Sequence, residues 1–342
     1  MNAAQLVERV RGGDRRALAR AITLVENGAD ELREIMAGLA PHTGRARVVG
    51  FTGSPGVGKS TTTNAVVRAV RARGLSVAVL AVDPSSPFTG GALLGDRVRM
   101  QEHATDTGVF IRSMANRGHL GGLSWATPHA LRVLDAAGFD VILVETVGVG
   151  QAEVEIAGQA DTTVVLCAPG MGDSVQAAKA GVLEAADVFA VNKADRDGAK
   201  VTLRELRQMI AMKDRGDEEW KPPITMMVAA KDEGIDDLWG RVEEHFAHME
   251  GSGELASRRR ERARDEVQAI VVDLLRARMG GVGSDSGLDG LARDVAAGER
   301  DPYAAADLLL KELGADPATG RSDLAPDSAH GGDRDRTIGG SA

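Results

Sequence analysis

Between residues 47 and 249, short apolar segments alternate with longer segments of helical periodicity, and this alternation restricts the chain to a small set of folds. The predicted strands are 48–52, 77–82, 109–112, 141–144, 163–167, 188–191 and 224–228. The predicted helices between them are 60–73, 123–137, 174–186, 199–212 and 235–249. Several strands are apolar on both faces, as in a sheet that helices cover on both sides. The pattern therefore predicts an α/β fold with a mostly parallel, doubly wound sheet.

The segments outside this region divide the chain further. Residues 1–44 have helical periodicity and form a predicted N-terminal helical extension, which the α/β domain follows at 45–250. Residues 251–314 form a predicted helical arm, and residues 315–342, rich in Asp, Gly, Ala, Ser and Pro, a predicted disordered tail. The arm carries an apolar stripe at helical spacing, made of Val267, Ile270, Val271, Leu274 and Leu275. Such a stripe has to pack on its own chain or on a second subunit.

Charge and cysteine content exclude several classes of protein. The 342 residues carry a net charge of −9, which argues against a nucleic-acid partner because such proteins usually present a basic face. The single cysteine, Cys167, excludes an intramolecular disulfide and a cysteine-based zinc site, and it fits a reducing compartment. No segment reaches the ~20 apolar residues of a membrane span, and the start lacks a signal-peptide pattern. We therefore expect a cytoplasmic protein without a membrane or nucleic-acid partner.

The first predicted strand runs directly into a glycine-rich loop of the form G-x-x-x-x-G-K-[ST], and a predicted helix follows it. The glycines allow successive backbone amides to point at one phosphate, Lys59 brings a cation to the β- and γ-phosphates, and the Ser60 hydroxyl is a magnesium ligand. The predicted phosphate-binding residues are Gly53, Ser54, Pro55, Gly56, Val57, Gly58, Lys59, Ser60 and Thr61, with Gly148 from a later loop.

A second motif, Asn192-Lys193-Ala-Asp195, follows the apolar strand 188–191. The Asp195 carboxylate can accept two hydrogen bonds from guanine, at N1–H and the exocyclic amine. Adenine offers no such pair, and the unpaired carboxylate then costs ~1–3 kcal/mol or more. A later strand ends in Ala229-Ala230-Lys231, where a backbone amide can contact the guanine oxygen. The predicted guanine-binding residues are Asn192, Lys193, Asp195, Ala229, Ala230 and Lys231, and the sequence predicts GTP over ATP.

Acidic residues near the ends of two strands complete the predicted site. Glu145 directly follows the buried strand 141–144, and Gly148 comes three residues later, where a loop amide can meet a γ-phosphate. Because magnesium prefers hard oxygen ligands, we expect Ser60, Asp83, Asp96 and Glu145 to surround the ion, some of them through water. We assign catalytic roles to Lys59, Asp96 and Glu145. Asp83 as a cap and Asp96 as a solvated loop acid remain alternatives.

Other candidates in these segments are less specific. Gln151 can orient water as glutamines do in other GTPases, although a structural or solvent-facing role fits it better. The arginines Arg97, Arg99 and Arg112 are candidates for a charge-stabilising group supplied by the chain itself.

Together these motifs resemble those of the MeaB/ArgK family of GTPases, whose human counterpart is the methylmalonic aciduria type A protein. The resemblance spans about residues 5–313 and rests on the phosphate loop, Asp83-Pro-Ser-Ser-Pro-Phe, Gly90-Gly-Ala-Leu-Leu-Gly-Asp-Arg, Glu145-Thr-Val-Gly-Val-Gly-Gln and Asn192-Lys-Ala-Asp. It implies GTP, GDP and Mg²⁺ as ligands. It also implies a chaperone that gates adenosylcobalamin delivery from an adenosyltransferase to methylmalonyl-CoA mutase and helps to replace damaged cofactor. A C-terminal helical arm that makes a homodimer is implied as well.

Three other functions stay open at this stage. Members of this family have been described as ATP-dependent kinases of a basic amino-acid transport system, but Asp195 speaks against ATP. Metal-insertion GTPases carry Cys/His clusters, whereas here Cys167 lies in a strand and the pair His245 and His248 is better explained by a surface helix. A regulatory switch without a cobalamin client is the third alternative.

Overall fold

A parallel sheet of seven strands forms the centre of the protein. The computed structural model describes residues 1–84, 101–103, 105–116, 126–146, 156, 158–170, 186–212, 216, 219–281 and 287–312. Contacts divide the chain into two units, Met1–Ala263 and the remainder from Arg264. The sheet and the helices that cover it belong to the first unit.

The strands are β1 (Arg47–Thr52), β2 (Val77–Pro84), β3 (Val109–Asn116), β4 (Val141–Thr146), β5 (Thr162–Cys167), β6 (Val188–Val191) and β7 (Ile224–Met226). Their order across the sheet is β3-β2-β4-β1-β5-β6-β7, and all neighbouring pairs run parallel. The predicted α/β fold is therefore confirmed. Because the strands are parallel, the carboxyl ends of β1, β4, β5 and β6 meet at one edge of the sheet.

Helices cover both faces of the sheet. One face packs against α4 (Lys59–Ala72) and α7 (Ile235–Ser252). On the opposite face, α6 (Ala199–Met212) covers β5 and β6 in a smaller cluster. The other face packs against α5 (Ala126–Ala136) and the N-terminal helices α1 (Ala3–Arg11), α2 (Arg15–Glu26) and α3 (Leu32–Leu39). Alternate residues of β4 face opposite sides of the sheet: Ile142 packs in the core with the N-terminal helices, and Leu143 packs in the core with α4 and α7. This explains why the strands are apolar on both faces.

Three helices follow the sheet domain: α8 (Glu254–Gly281), α9 (Leu288–Ala296) and α10 (Pro302–Glu312). Helix α9 was not predicted, since it is only nine residues long and follows a glycine-rich stretch. It packs through Leu291 against Ala305 and Leu309 of α10. The other predicted helices agree with the structure to within three residues at each end, except 174–186, which lies outside the described residues apart from its last position. Among the described residues, no helix is both long and apolar enough to cross a membrane.

The start of α8 is fixed to the amino-terminal edge of the sheet by buried ion pairs. Helices α7 and α8 are separated at Gly253, whose φ of 77° suits the left-handed region. Arg259 and Arg262 bind the fully buried carboxylate of Asp161, directly before β5; the Arg259 Nη2 to Asp161 Oδ2 distance is 2.8 Å. The same carboxylate accepts the Val48 N–H at 3.0 Å.

A second buried acid repeats this arrangement before β6. Asp187 pairs with Arg258 at 3.0 Å and with His245 at 3.3 Å, and it accepts the Thr163 N–H at 2.8 Å. Burial alone would raise the pKa of each carboxyl group, but bonds from the arginines, and from His245 to Asp187, hold both pKa values below the ordinary value. Both groups are therefore buried carboxylates whose charge is compensated.

We expect Asp161→Asn to lower the free energy of unfolding by about 3–5 kcal/mol, because Arg259 and Arg262 lose their shared counter-charge. Urea denaturation at pH 7 measures this change. Asp273→Asn is the matched control: Asp273 pairs with Arg276 at 3.4 Å on an exposed part of α8, and its loss should cost under about 1 kcal/mol.

The pH dependence follows from the lowered pKa of Asp161. A depressed folded-state pKa contributes stability above the unfolded-state pKa, and that contribution is lost as pH falls through the folded-state value. Native protein and the Asp161→Asn variant should therefore converge in stability below the ordinary carboxyl range. A difference in stability that stays constant both through the ordinary carboxyl range and below it would contradict this account.

Candidate functional site

The loop between β1 and α4 is shaped by glycines whose backbones lie in the left-handed region. Gly53 has φ 136°, and a Cβ there would lie 2.3 Å from the Leu166 carbonyl oxygen of β5. Gly56 and Gly58 have φ values of 79° and 98°. Only glycine fits the position of Gly53, because both the conformation and the close approach to β5 exclude a side chain. The loop therefore curls tightly over the carboxyl end of the sheet, as the sequence predicted.

Lys59 and Ser60 open the helix that follows this loop. The Lys59 ammonium group is nearly buried and is held over the loop by the Gly53 carbonyl and, at 3.2 Å, by the Ser54 carbonyl. Ser60 and Thr61 lie in the first turn of α4, where the helix presents backbone N–H groups and partial positive charge. The cation, the loop amides and the helix end thus converge on one location that suits a phosphate chain.

The motif after β6 lies beside the phosphate loop. Lys193 has φ 57°, unusual for a residue with a side chain, and its ammonium donates to the Gly56 carbonyl at 2.6 Å. Asp195 accepts a hydrogen bond from Lys231 at 3.1 Å. This bond lowers the pKa of Asp195. Its half-exposed side chain is therefore a carboxylate that can accept hydrogen bonds from a nucleotide base.

Asn192 connects the two loops. Its Nδ2 donates to the Val57 carbonyl at 2.8 Å, and its Oδ1 accepts the Ala229 N–H at 3.0 Å. A Cβ at Gly58 would lie 2.4 Å from the same Nδ2. The buried amide of Asn192 is therefore satisfied on both sides by backbone groups, and it fixes the distance between the phosphate loop and the short helix Ala229–Lys231.

Within that short helix the two alanines have different roles. The N–H of buried Ala229 is engaged by Asn192, whereas Ala230 is exposed at the surface beside Lys231. The sequence alone did not distinguish these two residues. The structure separates them by burial, since Ala229 is buried and Ala230 is exposed.

On the other side of β1, a buried carboxylate faces α4. Glu145, at the end of β4, accepts a hydrogen bond from Thr63 Oγ1 at 2.6 Å, and both residues are buried. Thr63 lies three residues after Ser60, on the same side of the helix. Asp83 lies near the carboxyl end of β2. Of the remaining candidates, Asp96, Gly148, Gln151, Arg97 and Arg99 lie outside the described residues.

Comparison with known proteins agrees with this geometry. Residues 18–282 match the family described as methylmalonyl Co-A mutase-associated GTPase MeaB. The chain belongs to the MeaB family of GTPases. As a member of the family it is a GTP hydrolase that binds guanine nucleotides.

Individual relatives of this MeaB-family GTPase cover most of the chain. A protein of Pyrococcus abyssi is 50% identical over 311 residues, which are 90% of this chain and 96% of the relative. The mouse methylmalonic aciduria type A homolog, a mitochondrial protein, is 35% identical and covers 87% of this chain and 76% of its own length. The crystal structure of a LAO/AO transport system kinase has a TM-score of 0.67 at 26% identity, covering 91% of this chain and 97% of that chain.

Two interpretations of the sequence were wrong. Arg112, a candidate charge-stabilising group, lies on β3 and pairs with Glu26 and Thr23 of α2, so it holds an N-terminal helix on the sheet of the MeaB-family GTPase. His245 does not lie on an exposed helix face; it is fully buried, its Nδ1 bonds to Thr162 Oγ1 at 2.9 Å, and its Nε2 lies 3.3 Å from an Asp187 carboxylate oxygen. Neither partner could be foreseen, since each contact joins segments more than 55 residues apart in sequence.

Proposed function

We propose that this MeaB-family GTPase binds the phosphates of GTP through Gly53–Thr61 and Gly148 and reads guanine through Asn192, Lys193, Asp195, Ala229, Ala230 and Lys231. The observation that carries this proposal is the Asn192 amide, which bonds to both loops. Asp195 accepts from guanine N1–H and the exocyclic amine, and the Ala230 amide donates to the guanine oxygen. Lys193 and Lys231 act by supporting the loop and the carboxylate.

For hydrolysis, we propose that Ser60, Asp83, Asp96 and Glu145 hold Mg²⁺ and that Lys59, Asp96 and Glu145 serve the reaction. The donor chemistry fits, because a hydroxyl-bearing face of α4 lies against the Glu145 carboxylate and oxygen donors of this kind suit Mg²⁺. When bound, the ion neutralises charge that develops on the β- and γ-phosphates. Lys59 contributes a second positive charge beside the same phosphates, and Gly148 supplies an amide to the γ-phosphate.

We expect Asp195→Asn to weaken GDP binding about tenfold or more and to favour xanthine nucleotides, since the amide donates where guanine also donates. Titration calorimetry with GDP, ADP and XDP measures this. Asp197→Asn, an exposed acid two residues away, is the control and should leave all three affinities unchanged. Equal affinity of the native protein for ADP and GDP would refute the proposal.

The finer function concerns a client protein. We propose that the GTPase gates adenosylcobalamin loading, protection and reactivation of methylmalonyl-CoA mutase, with a cobalamin adenosyltransferase as a second partner. Two observations support this: the family description names the mutase, and the mouse relative is a methylmalonic aciduria type A homolog. Hydrolysis in the cytoplasm, at the site described above, controls when the cofactor is released.

Two alternatives have different clients. The similarity to a LAO/AO transport system kinase favours a role in basic amino-acid transport, but a kinase that uses ATP has no need of the guanine-reading Asp195. Metal insertion requires a cluster of ligands. The described residues contain no group of three or more His, Cys, Asp or Glu side chains that could hold a metal ion together. Burial also raises the pKa of the Cys167 thiol to about 12.

We expect purified mutase to raise the GTP turnover rate by an order of magnitude or more. A charge-stabilising group added by a partner can raise the rate of hydrolysis by a factor of ~10³–10⁵. If the mutase prefers one nucleotide state, GDP and a GTP analogue must give different mutase affinities. The Lys59→Ala variant is the control, because it should not hydrolyse GTP with or without mutase. If mutase, apo and holo, changes neither turnover nor its own cofactor loading, the client proposal fails while nucleotide binding stands.

We further propose that α8 makes a homodimer. Its large apolar side chains at helical spacing are exposed in the single chain: Val267 (62%), Ile270 (38%), Val271 (48%), Leu274 (46%) and Leu275 (39%). A second copy of the helix is a suitable cover for such a stripe.

Introducing a charge into the stripe tests the dimer. We expect Val267→Asp combined with Leu274→Asp to yield monomers by light scattering, because association would bury the new carboxylates. Ala269→Asp introduces the same charge on the opposite side of the helix, two residues or about 200° away, and should leave the mass unchanged. An unchanged mass for the double variant would show that α8 does not build the dimer.

A further inference from the structure

Arg68 of α4 binds two carboxylates that come from distant parts of the chain. Its Nη1 donates to Glu102, in the turn Gln101–His103, and its Nη2 donates to Asp232, which directly follows the short helix Ala229–Lys231. The acids are 34 residues after and 164 residues after Arg68. Neither contact belongs to the phosphate loop or to the motif after β6.

Glu102 is itself fixed on the helix that begins with Lys59. Asn64, one turn before Arg68, also donates to the Glu102 carboxylate. Further along α4, Arg71 binds Asp106 through two bonds of 2.9 Å, and Asp106 accepts the Gly108 N–H at 2.8 Å. The turn that carries Glu102 is therefore attached to α4 at several points, and Glu102 can orient the Arg68 guanidinium group.

Asp232 closes the loop that reads the base. Its φ is 58°, in the left-handed region, and its N–H bonds to the Ala229 carbonyl at 3.3 Å. Val228 and Glu233, on either side of this loop, form an isolated antiparallel bridge. The loop is thus held by its own backbone, by Asn192 at Ala229, and by Arg68 at Asp232.

We propose that Arg68 is a positioning residue for guanine recognition, and that Glu102 acts on the base-reading loop through it. Each terminal nitrogen of the guanidinium binds a different acid, so the fork fixes Asp232 relative to α4. Because α4 begins at the phosphate loop, this sets the base-reading loop against the phosphate-binding residues from outside the site. The inference rests on the proposed function and deepens it, since it assigns a residue that controls the same nucleotide site.

The expected effects are moderate. The three side chains are 37–57% exposed, and exposed ion pairs of this kind change an equilibrium about two- to fivefold each. Losing both pairs should therefore speed GDP release about four- to twenty-five-fold if the two effects multiply. The distinctive expectation is that Glu102→Gln has part of this effect, although Glu102 does not touch the base-reading loop.

Stopped-flow release of a fluorescent GDP analogue from the full-length protein tests the proposal. We expect Arg68→Gln, Glu102→Gln and Asp232→Asn each to speed release, and the double variant Arg68→Gln with Glu102→Gln to release no faster than Arg68→Gln alone. Asparagine tolerates the left-handed backbone of Asp232, so that variant tests the side-chain charge. Arg68→Lys should stay defective, because one ammonium group cannot replace the fork.

The chain offers a matched control on α7. Arg241 also binds two acids, Asp237 at 3.5 Å and Glu244 at 2.9 Å, with similar exposure. Arg241→Gln and Glu244→Gln should leave GDP release unchanged. The rate of amide hydrogen exchange in the peptide 228–234 is a second measurement. It should rise in Glu102→Gln and stay unchanged in Glu244→Gln, whereas a general loss of stability would raise exchange throughout the protein.

The outcomes separate this inference from the function on which it rests. If the native protein binds GDP selectively but Glu102→Gln changes neither GDP release nor exchange in 228–234, the positioning role is wrong and guanine recognition stands. Full recovery by Arg68→Lys would also overturn the role of the fork. If the native protein does not prefer GDP to ADP, the proposed function itself fails.

Discussion

The arrangement of the loops at the carboxyl edge of the sheet depends on the two hydrogen bonds of the Asn192 side-chain amide. This amide is buried, and it bonds on one side to the phosphate loop at Val57 and on the other to the Ala229 backbone. Because an unpaired amide would be costly at this depth, the two loops are held at a fixed separation. Gly58 belongs to the same constraint, since any side chain there would displace the amide.

The opposite edge of the sheet uses charge in a different way. Asp161 and Asp187 lie at the amino ends of β5 and β6, and both are buried carboxylates paired with arginines from α8. These are the same two strands whose carboxyl ends approach Gly53 and carry Asn192. A buried carboxylate is stable only with its partners present, so the strands that support the nucleotide edge also fix the beginning of α8.

The placement of several candidate residues was predictable because they follow strands. Lys59, Asn192 and Asp195 were identified from short motifs at strand ends, and a parallel sheet brings such ends to one edge. The partners of these residues were not predictable. Thr63 bonds to Glu145, and Arg68 reaches Glu102 and Asp232, through contacts that span 82, 34 and 164 residues. No spacing in the sequence encodes such pairs, because they arise only when separate elements pack together.

The sequence by itself determined the α/β fold, the glycine-rich loop and the residue types that suit phosphate and guanine, since strand periodicity and backbone freedom are local properties. Only the tertiary structure decided that Ala229 is engaged and Ala230 exposed, that Arg112 serves an N-terminal helix, and that His245 is buried. The reason is physical: local pattern fixes which backbone a segment adopts, whereas the partner of a polar side chain depends on which distant segment packs beside it.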